Sequence, residues 1–130
     1  MPLKITLEQK GDTTYQENAS GNKFQLVCNT NMKNTVENQI LWIKDDKEIF
    51  IDESNKMFTS LRSPNGPYAN SILEFKAVQN RQFNYSGVYR CKIHIRYPDV
   101  GQGGFYLSEA KPIGFNYYGW CFILNIISRN

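Results

Sequence analysis

Apolar and polar residues alternate along most of this chain, and turn-forming residues interrupt the alternation roughly every 8–12 positions. Successive side chains of a strand point to opposite faces, so residues 24–28 place Phe24, Leu26 and Cys28 together. Residues 88–95 alternate most clearly, with Tyr89, Cys91, Ile93 and Ile95 on one face and Val88, Arg90, Lys92 and His94 on the other. No long segment repeats apolar residues at helical spacing. This pattern is typical of an all-β sandwich or barrel.

The composition is that of an ordinary globular protein: 130 residues, 41% hydrophobic and 21% charged. This length predicts one domain with some residues to spare. The net charge of +3 comes from scattered Lys and Arg residues, so a nucleic-acid partner is not expected. No apolar run reaches the ~20 residues that span a bilayer, and residues 1–6 lack the apolar core of a signal peptide. We therefore expect a fragment of a larger protein, with membrane attachment only through other parts of that protein.

Candidate catalytic and metal-binding residues are few. His94 is the single histidine, and its place on the outward side of a strand favours a solvated surface residue. The acidic residues between 45 and 53 lack EF-hand spacing and suit a polar hairpin. The glycine-rich residues 101–104 precede a strand-like segment, not the helix that a phosphate-binding loop requires. Because no nucleophile, base and orienting group come together, we expect a non-enzyme without cofactor, metal or small-molecule substrate.

Four residues then combine into a recognisable pattern. Cys28 and Cys91 lie 91 − 28 = 63 positions apart on two strands, Trp42 lies on a strand between them, and Tyr89 precedes the second cysteine by two residues. The segment from Tyr85 to Cys91 resembles the D-x-G-x-Y-x-C motif of immunoglobulin domains, and residues 42–47 resemble their W-Y-K-D-G-K stretch. Residues 3–115 thus resemble an immunoglobulin-like domain of the I-set or V-like branch, which is found in cell-adhesion and neuronal surface proteins.

The resemblance implies a β-sandwich with sheets A-B-E-D and G-F-C-C′. The strands A, B, C, C′, D, E, F and G would cover residues 3–8, 23–29, 39–44, 48–51, 57–61, 71–78, 87–96 and 105–115. It also implies a Cys28–Cys91 disulfide, with Trp42, Gly87 and Tyr89 as the core signature. The Tyr89 hydroxyl is expected to bond the backbone of the E–F turn. The predicted core comprises Leu26, Cys28, Ile40, Trp42, Leu73, Phe75, Val78, Tyr89, Cys91 and Ile93.

Two features depart from the family pattern. Tyr85 stands where the motif has Asp. In the family, that Asp usually bridges to an arginine of strand D, for which Arg62 is the candidate here. This bridge therefore lacks its acid. Residues 116–130 match nothing in the family, and we assign them to an apolar tail outside the core fold. That tail is an extra strand, a truncated membrane segment or the end of an incomplete chain. Its Cys121 is the odd cysteine, which leaves intermolecular pairing or a free thiol open.

The outward side of the G-F-C-C′ sheet is the predicted partner-binding surface. If Trp42 points inward, Leu41 and Ile43 point outward and lie beside Val88 and Arg90 of the next strand. We expect Leu41 and Ile43 to form the apolar centre, with Arg90 and Lys92 at its rim. The alternative is that the tail of this chain covers these residues.

The expected function is an extracellular binding or adhesion module that recognises a cell-surface or secreted protein, including a second copy of itself. The triplets that begin at Asn18 and Asn84 are glycosylation sequons, which fit an extracellular protein. The alternative is an intracellular structural domain of the giant muscle-filament type, which would keep its cysteines reduced. A thiol count under denaturing, non-reducing conditions distinguishes the two.

Overall fold

The computed structural model describes residues 2–15, 23–78, 80 and 82–117, and all regular elements in these ranges are strands. The strands are β1 Ile5–Lys10, β2 Thr14–Tyr15, β3 Phe24–Lys33, β4 Gln39–Lys44, β5 Lys47–Glu48, β6 Phe58–Leu61, β7 Tyr68–Phe75, β8 Gly87–Ile95, β9 Gly104–Leu107, β10 Lys111–Ile113 and β11 Asn116–Tyr117. Alternating burial along β7 and β8 confirms the period of two residues that the sequence predicts.

Two antiparallel sheets form the sandwich. The first has the strand order β1-β3-β7-β6, which is the predicted A-B-E-D sheet. The second has the order β10-β8-β4-β5, with β9 also paired to β8, and corresponds to G-F-C-C′. A disulfide between Cys28 of β3 and Cys91 of β8 joins the two sheets. This sheet order and this disulfide are those of an immunoglobulin-like β-sandwich, so the predicted fold class is confirmed.

The core lies between the sheets and surrounds the disulfide. Trp42 is buried, and its indole Nε1 donates a hydrogen bond to the Ser71 hydroxyl on the facing sheet at 2.9 Å. All predicted core residues are buried except Ile40, which is half-buried and packs against the cluster from its edge. Sequence patterns did not single out several further buried residues: Met32, Phe58, Ala69, Tyr85, Val100 and Ile113.

Two tyrosines close the end of the sandwich where the chain turns from β7 to β8. The Tyr89 hydroxyl donates to the Tyr85 carbonyl, four residues upstream, as expected for a tyrosine corner. The buried Tyr85 hydroxyl accepts from the Ala77 N–H at 3.1 Å and donates to the Met57 carbonyl at 3.3 Å. Aromatic rings pack around them in edge-on and tilted contacts, namely Phe24, Phe58, Phe75, Phe83 and Phe115. Tyr85 thus supplies packing and hydrogen bonds where the family has an acid.

Arg62 has other partners than the acid of the family pattern, in keeping with the expectation that the usual bridge lacks its acid. Arg62 follows the end of β6, and its guanidinium binds the loop between β3 and β4. It donates to Asn34 Oδ1 and to the carbonyls of Thr35 and Asn38 at 2.6–3.0 Å. The buried Asn38 side chain then accepts from the N–H groups of residues 96 and 97. Arg62 therefore holds a connecting loop.

Several strand bounds differ from the predicted ones. Strand E runs over Tyr68–Phe75 and not over 71–78, and strand C′ is reduced to Lys47–Glu48. Strand G is split into β9 and β10, because the Ser108 hydroxyl takes a hydrogen bond from the Cys91 N–H and the chain bulges at residues 109–110. β11 pairs in parallel with β2, so two residues of the range assigned to the tail join a small sheet.

Candidate binding face

The outward side of the second sheet, here called the G-F-C-C′ face, is set by the pairing of β8 with its two neighbours. Leu41 of β4 lies opposite Lys92, which lies opposite Leu107 of β9. One row further along, Ile43 lies opposite Arg90. The predicted neighbours Leu41, Ile43 and Arg90 therefore stand side by side on this face.

Apolar side chains occupy both flanks of the G-F-C-C′ face. On β9, the exposed fractions of Phe105 and Leu107 are 62% and 53%. On β4, Leu41 and Ile43 are half-buried. Val88 lies at the start of β8 and is 40% exposed. The sequence did not assign Phe105 and Leu107 to this surface, because their placement depends on the register between β8 and β9.

The expected position of the charges at the rim is wrong. β8 is the central strand, so Arg90 and Lys92 run between the two apolar flanks. The Arg90 guanidinium donates to the Ser108 carbonyl at 3.0 Å. The Lys92 ammonium lies 4.7 Å from the centre of the Phe105 ring and 4.0 Å from a Glu48 carboxylate oxygen. The face therefore has a basic centre and apolar flanks.

His94 belongs to the same surface. Its ring stacks on Phe105 with centroids 4.4 Å apart and an interplanar angle of 14°. This contact places the single histidine of the chain on the outward side of β8, as the alternation predicts. Within the described ranges, no group of three or more His, Cys, Asp or Glu side chains is arranged to hold a metal ion.

The turn between β4 and β5 explains why glycine occupies position 87. Asp45 and Asp46 both have positive φ, as in a tight hairpin turn. The Asp45 N–H donates to the Val88 carbonyl at 2.8 Å, and the Asp45 carboxylate accepts from the Val88 N–H at 2.9 Å. A Cβ atom on Gly87 would lie 2.8 Å from a carboxylate oxygen of Asp45. A side chain at position 87 would therefore displace the Asp45 carboxylate, which accepts the hydrogen bond from the Val88 N–H.

Two groups near this turn have shifted pKa values. The Val88 N–H, followed by the Lys44 side chain, holds the pKa of the Asp45 carboxyl below its usual range. Burial, aided by the nearby Asp45 charge, raises the pKa of the Tyr89 phenol. Tyr89 is therefore a neutral hydrogen-bond donor throughout the physiological range.

The outward side of the first sheet, here called the A-B-E-D face, differs from the G-F-C-C′ face. One row of paired residues across its four strands consists of Glu8, Val27, Ile72 and Leu61. Val27 is buried and Ile72 is half-buried, whereas Leu61 on the edge strand is 46% exposed. Lys4 and Lys10 project from the same side of β1 and are exposed. This face supplies matched control positions for substitutions on the other face.

The two sequons differ in what the structure describes. Asn18 lies outside the described residues. Asn84 is exposed in the segment before β8, between the half-buried Phe83 and the buried Tyr85. The apolar segment with Cys121 also lies outside the described residues. In the described part of the chain, no helix is long and apolar enough to cross a membrane.

The chain was compared with known families, curated proteins and solved structures. No family model matches the chain, and no curated protein matches it. Among solved structures, the chain is similar to the IgNAR antibody domain C3, with a TM-score of 0.48 and 15% sequence identity. The match covers 83% of this chain and 94% of that domain. By its own sheet order, its Cys28–Cys91 disulfide and its Trp42 and Tyr89 contacts, the chain is an immunoglobulin-like β-sandwich.

Proposed function

We propose that this chain is an extracellular immunoglobulin-like binding domain that recognises a cell-surface or secreted protein through its G-F-C-C′ face. The observation that carries this proposal is the exposure of Phe105 and Leu107 on one flank of the G-F-C-C′ face, with Leu41 and Ile43 on the opposite flank across β8. Exposed apolar surface with polar neighbours is characteristic of protein-binding sites. Aromatic and arginine side chains, here Phe105 and Arg90, are enriched at such sites.

The disulfide supports an oxidising compartment. Cys28 and Cys91 are fully buried and bonded to each other at the centre of the core. Structural disulfides persist in secreted and extracellular proteins and are rare in reducing compartments. A count of free thiols in the denatured, non-reduced protein tests this part of the proposal. A free Cys28–Cys91 pair in protein from its native source would favour the intracellular structural alternative.

A different protein fits the face better than a second copy does. In a two-fold contact the same surface patch meets itself. Arg90 and Lys92 of both copies would then enter one interface, and like charges in contact weaken association. Among the described residues, Glu48 already pairs with Lys92 of the same chain. Self-association through this face is therefore the weaker form of the proposal, and sedimentation equilibrium of the purified domain measures it.

The proposal is tested by staining cells with a fluorescent tetramer of the domain. Ile43→Glu places a charge in the apolar flank and should reduce staining by at least about tenfold, the factor that a loss of ~1.4 kcal/mol produces. Ile72→Glu is the matched control, because Ile72 is also a half-buried, outward-facing isoleucine but lies on the A-B-E-D face. Protease treatment of the cells should abolish staining if the partner is a protein.

Two outcomes would contradict the proposal. If the Ile43→Glu domain is folded and stains as strongly as the wild type, the contact surface lies elsewhere. If staining survives protease treatment of the cells, the partner is not a protein. Circular dichroism and thermal unfolding of both variants show whether each remains folded.

Asn84 is proposed as a glycosylation site, because its side chain is exposed at the corner before β8. The secreted protein should lose mass on treatment with an N-glycanase. The Asn84→Gln variant should lose less mass than the wild type, by the mass of the glycan on Asn84. An unchanged mass profile in the Asn84→Gln protein would show that the site is not used. Asn18 is tested in the same way with Asn18→Gln.

A further inference from the structure

Four basic residues follow one another on the outward side of β8 and directly after its end, and they form what we call the cation ladder, in which Arg90, Lys92 and Arg96 supply the fixed positive charges. Arg90, Lys92 and His94 alternate with the buried Cys91, Ile93 and Ile95, and Arg96 follows the strand with its side chain exposed. At ~3.4 Å per strand residue, Arg90, Lys92 and His94 lie ~6.8 Å apart and cover ~14 Å of β8. Three members of the ladder are thus evenly spaced along one strand, and Arg96 follows directly after it.

Contacts within the domain hold three members of the ladder in place. Arg90 bonds the Ser108 carbonyl, Lys92 lies over the Phe105 ring, and His94 stacks on that ring. Side chains that are already positioned lose less conformational freedom when a ligand binds. The ladder is therefore organised before any ligand arrives.

The charge of the ladder is only partly compensated. Among the described residues, Glu48 is the carboxylate that pairs with it, through a contact of 4.0 Å to Lys92. Both side chains of that pair are partly exposed to solvent, so the pair contributes little. The other contacts of Arg90 and Lys92 are to a carbonyl and an aromatic ring, which carry no net negative charge.

We propose that the cation ladder binds a linear sulfated polysaccharide that lies along β8. Cations that follow one another along a strand match a linear polymer with fixed anions, and release of counterions from the polymer favours the complex. The buried disulfide indicates the oxidising compartment in which such polymers occur. This inference goes beyond the proposed protein recognition and does not depend on it.

A single-stranded nucleic acid fits the same surface less well. Such ligands gain affinity by stacking bases on exposed aromatic rings. Phe105 is the aromatic residue beside the ladder, and His94 and Lys92 already lie against its ring. Although Phe105 is 62% exposed, a single ring does not provide a platform on which successive bases stack.

The test is titration calorimetry of the full chain with a heparin dodecasaccharide at several salt concentrations. Lys92→Gln/Arg96→Gln removes two cations of the ladder and should weaken binding by at least about tenfold, with a salt slope shallower by about 1.4 if each cation contributes ~0.7 as for single-stranded polyanions. Lys4→Gln/Lys10→Gln is the matched control, because it removes the same net charge from the outward side of β1. Its affinity should stay within about twofold of the wild type.

A variant with the opposite effect sharpens the test. Glu48→Gln removes the acid beside Lys92 and should tighten binding by about twofold or more. The proposal is overturned if heparin does not bind, or if the control variant weakens binding as much as the ladder variant does, because net charge alone then explains the result. It is also overturned if a single-stranded DNA oligonucleotide of equal charge binds as tightly as heparin. Thermal unfolding verifies that all variants are folded.

Discussion

The two sides of β8 carry opposite chemistry on one strand. The inward side chains, which are Tyr89, Cys91, Ile93 and Ile95, are no more than 1% exposed and include one half of the disulfide and the tyrosine corner. The outward side carries Val88 and the first three members of the cation ladder. Since neighbouring residues of a strand face opposite ways, residues that stabilise the core alternate along β8 with residues of the proposed binding face. Inward substitutions should therefore alter the free energy of unfolding, and outward substitutions should alter binding.

Removing the disulfide should produce the largest loss of stability on the inward side. The Cys28–Cys91 bond closes a loop with a sequence separation of 63 residues. A bond across a loop of this size contributes ~4 kcal/mol on the chain-entropy account. Denaturant unfolding of Cys28→Ala/Cys91→Ala should show a loss of this order. A loss below about 1 kcal/mol would contradict the assignment of this bond as the main link between the sheets.

Tyr89→Phe should have a smaller effect on the same side of β8. It removes the hydroxyl that bonds the Tyr85 carbonyl and keeps the ring in the core. The expected cost is about 0.5–1.5 kcal/mol, the net contribution of one hydrogen bond. Chemical denaturation measures the change, and an unchanged midpoint would refute the role of this hydrogen bond. Phe105→Ala on the outward side provides the comparison, since it should leave the midpoint nearly unchanged.

Acid sensitivity should identify the Asp45 contact at the start of β8. The pKa of the Asp45 carboxyl is lower in the folded state than in the unfolded state. Its contribution to the free energy of unfolding is therefore complete above the unfolded pKa of ~3.9 and is lost as the pH falls through the folded pKa. In the Asp45→Asn variant, the free energy of unfolding should therefore decrease less steeply than in the wild type as the pH falls below about 4. Asp46→Asn in the same turn is the control, because Val88 bonds Asp45. An equal effect of both substitutions would contradict the assignment to the Val88 contact.

The alternation that separates the two sides of β8 is local, and it was predictable from the sequence. The predicted strand over 87–96 corresponds to the observed Gly87–Ile95, and the predicted inward faces hold the disulfide. The failures involve contacts between distant residues. Strand G was predicted as continuous because nothing local shows that the Ser108 hydroxyl bonds the Cys91 N–H across the sheet.

The candidate site was predicted only in part for the same reason. Leu41 and Ile43 face outward as their alternation with Trp42 predicts. Phe105 and Leu107 were missed because they join this face through the β8–β9 register. The rim position of Arg90 was wrong because β8 lies at the centre of its sheet, which the pattern of one strand cannot reveal.

The central claim is that the G-F-C-C′ face, and not the A-B-E-D face, is the binding surface. Leu107 and Leu61 test it directly, because both are exposed leucines on edge strands of opposite sheets, 53% and 46% exposed. Leu107→Glu and Leu61→Glu should each change the free energy of unfolding by no more than about 0.5 kcal/mol. Tetramer staining of cells should fall by about tenfold or more with Leu107→Glu and stay unchanged with Leu61→Glu. Equal staining by the two variants, or loss with Leu61→Glu alone, would contradict the account.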